Sequence, residues 1–181
     1  MSIAPGTYTL GPEDGTLSVN TGRTGAAAKA GHDLLIHVTA WQGTLVVGDD
    51  GAPSSVALTA DATSLHAREG TGGMKALGDD DRKSIRETID DDVLKRKPIE
   101  FNSTAVQSAG DGRWSVRGDL ALVGKSAPLA FDLAIGDDGA LKATASITQS
   151  NWAIKPYSAL FGALKVADEV KVSLAAKLPS A

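Results

Sequence analysis

The side chains able to do acid–base or ligand chemistry are few. Histidine occurs only at His32, His37 and His66, and cysteine is absent. Without cysteine there is no thiolate nucleophile, no disulfide framework and no Cys-ligated zinc or iron–sulfur centre. The histidines share no recognised ligand spacing, whereas a zinc centre needs three or four converging donors in tetrahedral geometry. The sequence therefore implies no metal and no cofactor. His32 stands next to Asp33. On a strand the two side chains would point to opposite faces and could not act as a pair, but in a turn they could. Three readings of His32 stay open: it satisfies backbone groups at a junction, it meets the headgroup of a ligand with its one donor and one acceptor, or it serves a barrel enzyme as a base. His37 alternates with Ile36 and Val38, which points it to solvent if those two face inward.

Serine and threonine are plentiful, yet the chain has no Gly-x-Ser-x-Gly elbow, no Gly-x-Gly-x-x-Gly and no Walker pattern. The run Glu69-Gly70-Thr71-Gly72-Gly73-Met74 lacks the Lys-Ser/Thr of a phosphate cradle and reads as a mobile loop able to gate a cavity. No catalytic site is assembled, so a non-enzyme is expected. What remains is apolar contact. Trp152, Tyr157, Phe161 and Leu164 cluster around Pro156 and Gly162 in a chain only 4% aromatic. They act either as core plugs or as a lid whose Trp and Tyr present an apolar face and a polar tip.

Charge narrows the partners. With 18 basic and 22 acidic residues the net charge is −4, and Lys95-Arg96-Lys97 is the one basic run. Nucleic acid needs a concentrated positive footprint, so it is not expected. The first residues carry no basic and apolar signal regions, which makes a cytoplasmic protein the expectation. No apolar run approaches the roughly 18 to 20 residues that span a bilayer, leaving peripheral membrane contact only.

The elements that must position these residues are mostly strands. Short runs alternating apolar and polar residues, bounded by Gly, Asp, Asn, Pro and Ser, mark half-buried antiparallel strands. They cover residues 7–10, 16–20, 34–47, 56–61, 99–106, 113–123, 129–135, 141–149 and 169–178. The 34–47 run is one bent strand or a hairpin broken at Gln42-Gly43, and the last four or five runs read as a meander. Two segments depart from the pattern. Residues 79–94 space Ile85, Ile89 and Val93 by four, with aspartates first and basic residues last, as an amphipathic helix suited to its macrodipole. Pro98 ends it. Residues 25–31 are compatible with one or two helical turns plugging one end. Strands with one apolar face must close on each other. Small residues on the inward faces, namely Ala40, Ala60, Gly118, Ala143 and Ala145, favour a cavity over a filled core.

The order of motifs resembles the YceI-like family, lipocalin-like proteins named for polyisoprenoid binding. The likeness runs from Gly6-Thr7-Tyr8 and Gly15-Thr16-Leu17-Ser18-Val19 to Ala30-Gly31-His32-Asp33-Leu34, which is similar to one subgroup's Ala-Gly-His-Asp-Leu. It continues through Val93-Leu94, Pro98-Ile99-Glu100-Phe101-Asn102-Ser103-Thr104, Val116-Arg117-Gly118-Asp119-Leu120 and Pro128-Leu129. Ser150-Asn151-Trp152-Ala153-Ile154 resembles the family's Ser-Asp-Phe-Gly-Ile, and Val166-Ala167-Asp168-Glu169-Val170 its Gly-Asp-Glu-Val. Asn151 stands where the usual residue is Asp, and the helix carries Ile85 where many relatives have Arg-Asp-x-His.

The expectation is thus an all-β single domain over residues 1–181: an eight-stranded antiparallel lipocalin-like barrel with one helix. The resemblance implies an apolar tunnel for a long isoprenoid chain or quinone tail. Leu17, Val19, His32, Ile36, Val38, Leu58, Phe101, Leu120, Leu122, Phe131, Trp152, Tyr157 and Phe161 are the candidate ligand contacts. A packed structural protein is the alternative, and open barrel edges are compatible with a homodimer.

Overall fold

The computed structural model describes residues 3–179. Its strands are β1 (Gly6–Leu10), β2 (Gly15–Asn20), β3 (Arg23–Thr24), β4 (His32–Val38), β5 (Trp41–Val47), β6 (Pro53–Ala60), β7 (Leu65–Gly72), β8 (Ile99–Gly110), β9 (Arg113–Leu122), β10 (Lys125–Ile135), β11 (Ala140–Thr148), β12 (Ser158–Ala159), β13 (Leu164–Val166) and β14 (Glu169–Lys177). Eleven of them form one antiparallel sheet in the order β1-β5-β6-β8-β9-β10-β11-β14-β2-β4-β7, and β12-β13-β3 form a second, small sheet. The large sheet curls strongly into a half-barrel, so its apolar face is turned inward along its whole width. Its free edges are β1 and β7.

The barrel-like all-β class agrees with the alternation, but the main sheet has eleven strands where eight are expected. Two segments account for most of the difference. Residues 34–47 break at Thr39-Ala40, not at Gln42-Gly43, and the resulting β4 and β5 are not neighbours. The break is fixed by a corner: Thr39 N–H donates to the Ser64 carbonyl at 2.9 Å and Asp61 N–H to the Ala40 carbonyl at 3.0 Å. The presumed loop at 69–74 belongs largely to β7. Its glycines permit close approach: a Cβ on Gly70 would lie 3.2 Å from the His32 ring. Likewise β1 and β2, consecutive in sequence, do not pair. Tyr8 faces Leu45 of β5, and Leu17 lies between Leu174 of β14 and Val38 of β4.

The β8 to β11 meander follows the alternating pattern closely. Phe131 pairs with Val116, and Leu133 with Trp114, keeping both apolar sets on one face. Val116 has no exposed surface at all.

The helix runs from Asp79 to Thr88 (α1) and continues as one widened turn, Ile89–Val93, with Leu94 N–H bonded to the Ile89 carbonyl at 2.8 Å. A wider turn keeps residues four apart in register, and Ile85, Ile89 and Val93 all face the interior. At its start Gly78 N–H donates to Asp81 Oδ2 at 3.0 Å, and three aspartates occupy the first turn. Left-handed Lys95 and Arg96 end the helix before Pro98. Within 25–31 only Ala28–Ala30 turns helically.

The small-residue pattern divides. Ala60, Ala143 and Ala145 do line open space. Ala40 does not, because it sits exposed in the β4–β5 corner. Gly118 is filled rather than open: a Cβ there would lie 2.7 Å from Phe101 Cζ and collide with the Asn102 carbonyl. Its missing side chain is the space the phenyl ring of Phe101 occupies.

Candidate ligand cavity

Inside the half-barrel lies a cavity of about 370 Å³, within the size range of small-molecule sites. Its wall comes from both halves of the sheet, from α1, which contributes Ile85 and Thr88, and from the widened turn after it, which contributes Ile89 and Val93. Apolar side chains dominate. The polar exceptions include Thr21, Thr44, Gln149 and Tyr157. Gln149 is held by donating its Nε2 to the Ala167 carbonyl at 3.0 Å. Large inward residues such as Val19, Leu58, Leu129, Phe131 and Val172 are only half-buried because one side of each faces this space. The rings of Phe101 and Phe131 meet at 5.3 Å with a 58° tilt, a favourable edge-to-face arrangement.

Ten of the thirteen candidate contacts line the cavity: Leu17 and Val19 from β2, Ile36 and Val38 from β4, Leu58 from β6, Phe101 from β8, Leu120 and Leu122 from β9, Phe131 from β10, and Tyr157. Tyr157 is also 49% exposed, so the cavity opens beside it. Three do not line it. Trp152, 2% exposed, is a core plug whose indole Nε1 donates to the Leu120 carbonyl at 2.7 Å. Phe161 points fully into solvent. His32 faces the segment after β7.

The His32 Nε2 lies 2.7 Å from the Lys75 carbonyl. A carbonyl only accepts, so Nε2 carries the proton. Gly73 closes against the same ring, and Arg23 reaches the Gly31 carbonyl and pairs with Asp33 at 3.5 Å. His32 and Asp33 thus serve different partners. Nearby, the Gly78 N–H chiefly lowers the Asp81 carboxyl from its ordinary value; burial opposes it, and the Lys75 ammonium and the His32 ring add smaller lowering effects. The Asp61 carboxyl is lowered by the backbone and hydroxyl of Thr63 in the corner after β6. Among the described residues, no His, Cys, Asp or Glu cluster converges as a metal site.

The helix wall was the part hidden from a reading of strands. The four-residue spacing of Ile85, Ile89 and Val93 was the signal for its inward face. His37, expected to face solvent, is half-buried and lies among Leu35, Arg68, Glu69 and Arg82 in a polar recess away from the large cavity.

The YceI-like domain model matches residues 8–178, nearly the whole chain. The protein belongs to the YceI-like family. Solved YceI-like structures share its fold. Burkholderia cenocepacia BcnA superposes with a TM-score of 0.66 at 17% identity, covering 89% of this chain and 94% of that one. The YCEI protein of Campylobacter jejuni does so with a TM-score of 0.57 at 11% identity, covering 81% and 85%. At these identities the likeness of this YceI-like chain to both is one of fold. No curated protein matches its sequence. Among its described residues no helix is long and apolar enough to cross a membrane.

Proposed function

We propose that this YceI-like protein is a non-catalytic carrier that holds a lipophilic chain, an isoprenoid or the tail of a prenyl quinone, inside the half-barrel. The observation that supports it is the apolar cavity of about 370 Å³ with large side chains left half-buried around it. Protein interiors are normally close-packed, and a void of this size forfeits contacts that a filled core would make. A wall with so few polar groups offers water little to bond and suits a hydrocarbon chain. At about 25 cal/mol per Å² of apolar surface removed from water, a chain burying several hundred Å² gains on the order of 10 kcal/mol. That supports micromolar binding after the losses of association.

The commitment of His32 to the Lys75 carbonyl, outside the cavity, argues against its service as a base on a bound substrate. Native mass spectrometry and organic extraction of the purified protein test the carrier reading. A copurifying lipophile, or saturable uptake of a prenyl quinone by the empty protein, is expected. An empty barrel that takes up no prenyl quinone would overturn it.

A further inference from the structure

At the open end of the cavity the chain displays an exposed apolar tip. After Tyr157 come Leu160, 56% exposed, and Phe161, whose phenyl is wholly in solvent. Both hold left-handed backbone (φ +51° and +55°) and are followed by Gly162 at +86°. Bulky residues seldom adopt this conformation, and two in succession, one more than half exposed and the other wholly so, point to a use outside the fold. The tip is mounted on the small sheet, since β12 pairs with β13 and β13 with β3. Met74, also highly exposed, follows Gly73, which closes against the His32 ring.

Charge around the tip runs against the rest of the molecule. Residues 21–32 and 153–167, which build this rim, contain Arg23, Lys29, Lys155 and Lys165 and none of the 22 acidic residues, in a chain of net charge −4. Lys165 stands opposite both Ser158 and Thr24, and Lys29 lies on the turn tied to Ala163 through the Ala27 N–H. Of the adjoining carboxylates, Asp33 pairs with Arg23 and Asp168 accepts from the Ser150 N–H and hydroxyl, while Glu169 is exposed. Lys29, Lys155 and Lys165 are exposed, and none takes part in an ion pair among the described residues.

We propose that this rim docks on an anionic lipid surface, with Phe161 and Leu160 entering the headgroup boundary and Lys29, Lys155 and Lys165 meeting the lipid phosphates. An apolar tip ringed by lysines is the composition of a peripheral lipid contact. A few side chains on one loop are, by contrast, far too small for a standard protein interface. Because Tyr157 belongs both to the rim and to the cavity wall, docking would set the mouth against the bilayer and let a lipophile pass without crossing water. That purpose rests on the carrier reading, but the docking is measured apart from it.

The experiment is flotation of the ligand-free protein with phosphatidylcholine vesicles, with and without phosphatidylglycerol, at low and high salt. The protein should float with the anionic vesicles only, and less so as salt rises. Leu160→Ser with Phe161→Ser should abolish flotation, and neutralising Lys155 or Lys165 should weaken it about fivefold each. Both sets of variants should keep their circular dichroism and their uptake of a prenyl quinone from detergent, since neither residue pair lines the cavity. Wild-type protein that takes up quinone but ignores anionic vesicles would overturn the docking and leave the carrier intact. So would equal flotation of the double serine variant, or a concentration-dependent dimer lost in that variant, which would assign the tip to a second copy of the chain.

Discussion

The indole Nε1 of Trp152 donates to the backbone carbonyl of Leu120 at 2.7 Å, joining residues 32 positions apart. The turn Gln149–Trp152 at the end of β11 is thereby fastened to β9, beyond the intervening β10. The same Leu120 presents its side chain to the cavity. The plug therefore braces the wall that a ligand would touch.

Trp152→Phe keeps most of the ring volume but leaves a buried carbonyl without its donor. The expected loss is about 1–3 kcal/mol of unfolding free energy. Trp152→Ala, which also opens a void, should lose about 3–5 kcal/mol. Urea denaturation checks both, and equal midpoints for Phe and wild type would show that the indole bond carries no weight.

Ala143 on β11 faces the cavity between Leu133 and Leu174. Ala143→Phe would fill the space without adding a polar group. Prenyl quinone uptake should fall at least about tenfold, while thermal stability is unchanged or rises as the void shrinks. Undiminished uptake with an intact fold would place the ligand elsewhere.

Gly118→Val should be among the most damaging changes on β9. Its Cβ would meet the Phe101 ring and, closer still, the Asn102 carbonyl. Overpacking of this kind costs about 1–3 kcal/mol or more. Adding Phe101→Leu should recover part of the loss only, because the backbone carbonyl cannot retreat as the ring can. A double-mutant cycle by chemical denaturation measures the coupling.

His32→Ala removes the bond to the Lys75 carbonyl and should loosen the segment after β7 at a cost of about 1 kcal/mol. Quinone affinity should be unchanged, since His32 does not line the cavity. A selective loss of affinity with full stability would restore His32 as a headgroup contact.

Acid should act at the start of α1. The Asp81 carboxyl is held below its ordinary value, first by the Gly78 N–H and then by Lys75 and His32. A lowered folded value means that its contribution is complete above the unfolded carboxylate value, about pH 4, and is lost as pH falls through the folded one. Hydrogen exchange of the first turn of α1 should therefore be flat from neutral pH down to about pH 5 and accelerate relative to the intrinsic rate only in stronger acid. In Asp81→Asn that acid-dependent step should disappear.

Much of this architecture was legible in the chain. Period-two alternation requires a common apolar interior, and from β8 to β11 it assigned both the strands and the faces that the register preserves. It also picked out nine strand side chains that share one cavity, because residues two apart on a curled sheet necessarily line the same side. The helix announced itself by a four-residue spacing and an acidic start.

What alternation cannot express is the choice of neighbours. That β1 pairs with β5 and β2 with β14 depends on contacts distant in sequence, as does the corner joining Thr39 to Ser64. The same holds for glycine. At Gly70 it read as loop and at Gly118 as open space, yet in both places a neighbouring ring occupies the room its missing side chain leaves. The aromatics after β11 make the point most sharply: Trp152, Tyr157 and Phe161 are one cluster in sequence, but tertiary packing buried the first, set the second at the mouth and turned the third out to solvent. An apolar side chain records a preference for burial, and only the surrounding strands decide whether a place to bury it exists.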